Sequence, residues 1–283
     1  MVKHIIKSLS LFLVILIGLT GCSDNKNVDI TKMHKVYGNE IADVPVMLND
    51  LSEKSIYFGH QSVGKNILSG LDYWNSQGNT QLTIKESRDF SDTITASLTH
   101  FRIGQNRNPS MKIDDFRNTV PGISSENEKI AFFKFCYVDF NAETDTEDLF
   151  SQYKSTMIKL QENYPDIQFV LFTAPLKSVR KGIDAIKYRV RYGKDTSKED
   201  NVKRNEFNEK LKNELGGEFP VFDLAKTEAT LPDGSLNTYE YMGEQYTAMC
   251  SIYTNDGGHL NETGAKIVAF NLLSFLSDLP EKK

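Results

Sequence analysis

The chain has 283 residues, with 33 Lys and Arg against 38 Asp and Glu and a formal net charge of −5. That acidic balance argues against a nucleic-acid partner, because phosphate binding wants a basic surface. Hydrophobic residues make up 39% of the chain, the composition of a folded globular protein, and no internal repeat or low-complexity block interrupts it.

The N-terminus reads MVKHIIK, then the apolar run LFLVILIGL, then Leu19-Thr20-Gly21-Cys22. A basic start, a short apolar run and small residues at the cut are the marks of a secretory signal peptide. The run falls short of the roughly 20 apolar residues that a membrane-spanning helix needs. Leu-Thr-Gly-Cys resembles the bacterial lipobox, which implies a lipid anchor at Cys22. The partner there is the membrane, and the protein sits in the bacterial cell envelope, facing the periplasm or the exterior. An ordinary leader with an incidental Cys, or an uncleaved anchor, is the other reading. Residues 1–21 then form the leader, 22–42 a polar tether, and 43–283 a single large domain of about 240 residues. Beyond Cys22 the cysteines are Cys136 and Cys250. An oxidising compartment permits them to pair, and two buried thiols is the alternative.

In chain order, KSIYFG (54–59) reads as a buried strand, followed by a helix with Val63, Ile67, Leu68, Leu71 and Trp74 at near-helical spacing. KIAFFKFCYVDF (129–140) is the strongest strand, too continuously apolar for a solvated edge. Residues 146–164 form a helix, 166–175 a second buried strand stopped by Pro175, 198–217 a charged helix closed by glycines, and 219–225 another strand. The last helix follows Asn261, a candidate cap. The one basic run, KSVRKGIDAIKYRVRYGK (177–194), reads as a solvated loop or helix face. Such strand–helix alternation predicts an α/β fold with a parallel sheet and helices on both faces. Ligands of such sheets bind beyond the carboxyl ends of the strands.

Chemistry-bearing residues fall in those places. Gly59-His60-Gln61-Ser62 follows the first strand, Asp139 and Asn141 end the central one, and Asp256-Gly257-Gly258-His259 precedes the last helix. Ser62 at a strand-to-helix turn is a candidate nucleophile, His259 its base, and Asp256 the group that orients the imidazole. The two glycines let that loop curl. His60 either lines the pocket or packs on the sheet. His60, His100 and His259 lack the tight spacing of metal ligands, so the chemistry calls for no metal and no cofactor.

YFGHQSVGKNIL, FRIGQNRNP, FCYVDFN and DGGHLNETG, in this order, resemble the blocks of the SGNH/GDSL hydrolase superfamily over about residues 50–280. The resemblance implies a three-layer α/β/α, flavodoxin-like sheet and a Ser-His-Asp triad of Ser62, His259 and Asp256. It also implies an oxyanion hole that uses the backbone N–H groups of Ser62 and Gly104. Two blocks depart from the pattern. The Gly-Asp-Ser of the first block is replaced by Gly59-His60-Gln61-Ser62, closer to the Gly-Gln-Ser of a branch acting on acetylated sugars. The third block lacks its oxyanion Asn, reading Cys136-Tyr137-Val138-Asp139, which leaves Asn106 or Asn108 as substitutes. His60, Gln61 and Asp139 are the expected pocket residues. The implied activity is an extracytoplasmic ester hydrolase on a small-molecule or glycan ester. A lipase, lysophospholipase or thioesterase on the same fold and a non-catalytic glycan-binding lipoprotein are the alternatives.

Overall fold

The computed structural model describes residue 38 and residues 40–78, 81–90, 96–180 and 182–282. The expected leader, Cys22 and the tether up to residue 37 lie outside the described residues.

A five-stranded parallel sheet runs in the order β2 (Ile84–Glu86), β3 (Ser97–Arg102), β1 (Ser55–His60), β4 (Lys129–Phe133), β5 (Ile167–Phe169). Val170 donates its N–H to Ala131 O, and β6 (Leu171–Phe172) carries the same strand on to pair in parallel with β7 (Val221–Phe222). Alternate residues of each strand face opposite layers, as the two-residue period demands. Ile56, Phe58, Ile130, Phe132 and Phe172 pack into one core with α1 (Val44–Leu51), α2 (Ser62–Asn75), α7 (Leu224–Ala229) and α8 (Glu262–Ser277). Tyr57, Ala131, Phe133, Phe169 and Leu171 pack into the other with α3 (Pro109–Thr119), α4 (Thr146–Asn163) and α6 (Ser197–Leu215). The fold is the expected three-layer α/β/α arrangement.

One contact sets the pitch of the outer layer. A Cβ on Gly70 of α2 would fall 2.1 Å from Ala265 O of α8, so only glycine lets these two helices approach so closely. Helix α5 (Gly182–Tyr192) and the antiparallel hairpin β8 (Thr238–Tyr241)–β9 (Glu244–Thr247) lie outside the parallel sheet.

The central strand is shorter than its apolar run. β4 ends at Phe133, and residues Tyr137–Asp139 form a 3-10 turn instead of continuing the strand. Polar anchors cause the turn. Asp139 Oδ2 accepts the Cys136 N–H at 2.6 Å, and the Arg204 guanidinium donates to Tyr137 O at 2.6 Å and to Phe140 O at 3.0 Å. β3 escapes a reading by apolar run because Ser97 and Thr99 are buried with their hydroxyls 3.1 Å apart. The helix that follows β1, α2, packs on one face of the sheet, whereas α3 and α4, which follow its neighbours β3 and β4, pack on the other, so the connections diverge at β1. This opens the crevice at the carboxyl ends of the strands where such sheets hold their ligands.

Candidate active site

Ser62 is the first residue of α2, directly after β1. The corner is tied to the next loop by Gln61, whose Nε2 donates to Ile103 O at 2.7 Å and to Gly104 O at 2.9 Å. As a first-turn residue, Ser62 carries an amide with no acceptor inside its helix.

The loop before α8 is folded around its own Asp. Asp256 Oδ1 accepts the N–H groups of Gly258 at 2.9 Å and His259 at 2.8 Å, while Gly257 takes φ +89 and donates to Thr254 Oγ1. Asp256 Oδ2 then lies 2.6 Å from His259 Nδ1, and His259 Nε2 lies 3.0 Å from Ser62 Oγ. A carboxylate only accepts, so Nδ1 carries the ring hydrogen and the Nε2 lone pair faces the Ser62 hydroxyl. Partial burial pushes the Asp256 carboxyl up, but the hydrogen bonds from the His259 side chain and from the His259 and Gly258 amides outweigh it and hold it at about 2. Asn261 Oδ1 accepts the Gly264 N–H at 3.0 Å and caps α8.

Tyr137 is the neighbour that the sequence did not single out. Its ring meets the imidazole edge-on with centroids 5.4 Å apart, and its hydroxyl is 3.4 Å from His259 Nδ1. Gly258 makes room for that ring, since a Cβ there would stand 2.5 Å from Tyr137 Cζ. Arg204 fixes the Tyr137 backbone from below while only 1% exposed. In the sequence, Arg204 belongs to a charged helix and looks like any solvated base.

Gly104 requires a correction. Its N–H donates to Asp115 Oδ2 at 2.7 Å, so the amide expected to polarise a substrate carbonyl is already engaged. The glycine serves packing instead: at φ +47 its Cβ would lie 2.8–2.9 Å from Lys112 on α3. The two substitute asparagines separate. Asn108 Oδ1 accepts the Met111 N–H at 3.0 Å and caps α3, whereas Asn106 Oδ1 accepts from Lys112 Nζ at 3.0 Å and keeps its Nδ2 for other partners. Where the third-block Asn was missed, Cys136 Sγ stands 3.8 Å from Ser62 Oγ.

Of the expected pocket residues, His60 belongs to the frame, and Asp139 lines a recess beside Tyr137 with its carboxylate already paired. His60 is 1% exposed, with Nδ1 2.8 Å from Gln61 O and Nε2 3.1 Å from His100 Nδ1. Burial lowers its pKa to about 4 and outweighs the bond to Gln61 O. The Asp139 carboxylate is buried too, paired with Lys112 Nζ at 2.5 Å and accepting the Arg107 N–H at 2.8 Å. No disulfide joins Cys136 and Cys250; both are buried thiols, and Cys136 faces Ser62. Among the described residues no cluster of His, Cys, Asp and Glu could hold a metal ion, and no helix is long and apolar enough to cross a membrane.

No family model matches the sequence, and no curated protein matches it either. Solved structures that the chain is similar to include a Streptococcus pneumonia protein provisionally named a platelet activating factor, at 14% identity and TM-score 0.46 over 83% of this chain and 92% of that one. A second is the periplasmic domain of a Salmonella ser. Paratyphi A lipopolysaccharide acetyltransferase, at 12% identity and TM-score 0.42 over 78% of this chain and 83% of that one. A third is an acetyl xylan esterase, at 16% identity and TM-score 0.42 over 78% of this chain and 98% of that one.

Proposed function

We propose that this chain is a Ser-dependent ester hydrolase acting outside the cytoplasm on carbohydrate esters. The observation that carries the reading is the continuous chain of contacts from Ser62 Oγ through His259 to Asp256, 3.0 and 2.6 Å long. Ser62 Oγ attacks the ester carbonyl as its proton passes to His259 Nε2, and the carbonyl electrons move onto oxygen. Collapse of that intermediate breaks the bond to the alcohol, which leaves with the proton from Nε2. Water, deprotonated by the same nitrogen, then releases the acid and restores Ser62. Asp256 holds the ring hydrogen at Nδ1 throughout and stabilises the imidazolium.

The oxyanion falls to the Ser62 N–H and, with the Gly104 amide engaged, to the Nδ2 hydrogens of Asn106, oriented by Lys112. One such donor is typically worth about 3–4 kcal/mol in the transition state. The location rests on the leader and on the lipobox-like Cys22. The carbohydrate part rests on the likeness of Gln61-Ser62 to the branch acting on acetylated sugars.

Hydrolysis of p-nitrophenyl acetate, butyrate and octanoate by the wild type and by Ser62→Ala tests the reading. Acetate preferred over octanoate, with turnover lost in the variant, is the expected result. Preference for octanoate points to the lipase alternative. Equal rates for both proteins, on these esters and on acetylated sugars, would leave a glycan-binding protein on a hydrolase-like frame. The engaged Gly104 amide is the observation that favours that second reading.

A further inference from the structure

The basic run at residues 177–194 includes helix α5, which is exposed along most of its length as expected and also stands beside the Asp256 loop. It lines a groove of about 450 Å³ whose other wall is the Asp256 loop, with Thr254, Asn255, Asp256 and Gly257 opposite Arg180, Lys187 and Arg191. Gly257 O accepts the Ser178 N–H at 3.0 Å, so the two walls are joined at the base. Among the described lining residues Asp256 supplies the one carboxylate, and His259 holds it. Tyr188 and Tyr192 stand in the same wall with ring centroids 4.9 Å apart; the Arg180 guanidinium lies 3.8 Å from the Tyr188 centroid and 3.5 Å from Asp195 Oδ1.

A second recess of about 250 Å³ is lined by Arg107 and Lys177 beside Tyr137, whose ring meets His259. Its remaining charges are internally satisfied: Arg204 donates to the Tyr137 and Phe140 carbonyls, Asp139 pairs with Lys112, and Asp200 accepts the Ala142 N–H at 3.1 Å. Arg180, Lys187 and Arg191 thus edge the loop that carries His259, and Arg107 and Lys177 edge the recess beside Tyr137. The whole chain is acidic at −5, so cations gathered at this one rim make a local field opposite to that of the protein.

We propose that the substrate is an ester of an anionic glycan, and that the Arg180–Lys187–Arg191 groove binds its carboxylate or phosphate groups while the ester reaches Ser62. This rests on the hydrolase reading for the ester, and on the groove alone for the charge. Guanidinium forks match both carboxylate and phosphate oxygens, and rims of one sign raise the local concentration of the opposite one. The tyrosine edges supply apolar surface for the sugar ring beside the charge.

Two experiments on the full-length chain separate this from the hydrolase reading. In the first, Ser62→Ala is titrated by calorimetry with hexagalacturonate, with poly(glycerol phosphate) and with neutral xylohexaose. At least one polyanion should bind ten times more tightly than xylohexaose in 50 mM NaCl, with most of that margin gone at 0.5 M NaCl. Which polyanion wins tells carboxylate from phosphate. Equal affinity for all three overturns the proposal whether or not the chain hydrolyses esters. In the second, the kcat/KM ratio of O-acetylated oligogalacturonide to p-nitrophenyl acetate is compared in the wild type and in Lys187→Ala/Arg191→Ala. The ratio should fall at least tenfold, mostly through KM, and Arg191→Lys should keep it within threefold of the wild type. An unchanged ratio overturns the role of the groove in turnover. Loss of p-nitrophenyl acetate hydrolysis in the wild type defeats the hydrolase reading alone and leaves the binding result to decide the groove.

Discussion

Replacing Gly258 by Ala tests whether the ring of Tyr137 sets the position of the base. The new Cβ would stand 2.5 Å from Tyr137 Cζ and 2.8 Å from Cε1 and Cε2. Carbon atoms settle near 3.5–4.0 Å, so ring and loop must part by about 1 Å. Gly258 is not among the positive-φ residues, so the substitution acts through bulk rather than backbone strain. The displaced ring is the one that meets His259 edge-on at 5.4 Å, and the shift is passed to an imidazole that reaches Ser62 Oγ at 3.0 Å. A misplacement of about 1 Å costs about 10²-fold in rate, or about 2.7 kcal/mol in the barrier. Overpacking also lowers stability by about 1–3 kcal/mol. The assay is kcat on p-nitrophenyl acetate for Gly258→Ala, Tyr137→Ala and the double variant, with thermal unfolding beside it. If the clash is the cause, removing the ring vacates the space the methyl needs, and the double variant matches Tyr137→Ala. The pair then shows a coupling of about 1–3 kcal/mol. Gly258→Ala within threefold of the wild type, or strictly additive losses in the double variant, refutes the reasoning.

His60 gives a pH signature. Its folded value of about 4 lies below the unfolded 6.5, so the unfolded chain takes the proton first as the pH falls. Stability should therefore decline from pH 6.5 to about 4 and level off below, by about 3 kcal/mol in total. Chemical unfolding across that range should show a shallower slope in His60→Gln; an identical slope would mean His60 is not held neutral. Asn106→Ala should lower kcat about 10²–10³-fold with little change in KM, whereas Asn108→Ala should lose about 1 kcal/mol of stability and little activity. The reverse pattern would move the oxyanion donor from one to the other. Gly70→Ala forces α2 from α8 and should cost about 3 kcal/mol, read as a lowered denaturant midpoint; an unchanged midpoint would mean that these helices slide apart freely.

The parallel sheet was legible because β1, β4 and the β5–β6 strand are apolar runs longer than any solvated edge would carry. The contact between Asp256 and His259 was legible for a local reason. Asp256 and His259 are three residues apart, and the glycines between them mark a curled loop whatever the fold. Ser62 is 197 residues from His259, and only the alternation of strands and helices, with the order of the blocks, brought them together on paper. What stayed hidden are the groups whose burial contradicts their chemistry. Lys112 and Asp139 form an ion pair with both side chains at 0% exposure, and Glu228, also 0% exposed, has its carboxyl raised to about 8 by burial. In sequence Lys112 and Glu228 look like surface charges and Asp139 like a pocket acid, because period and propensity carry no information about depth for a polar side chain.

That depth explains what the sequence did not show at Gly104 and Asp139. The expected donor, Gly104, lies over α3, and Asp115 on that helix sits four residues before Thr119 with nothing in the sequence to say its carboxylate reaches up to the loop. The bond at 2.7 Å engages the Gly104 amide. The expected pocket acid, Asp139, is drawn inward by Lys112 and by the Arg107 and Cys136 amides. Breaking such a buried pair is costly because it strands a charge, even where the intact pair adds little to stability. The pair therefore acts as a clamp: Asp139 fixes the strand end that carries Cys136 and Tyr137, and Lys112 fixes Asn106. One buried contact thus anchors both Asn106 and the segment whose Tyr137 ring meets His259.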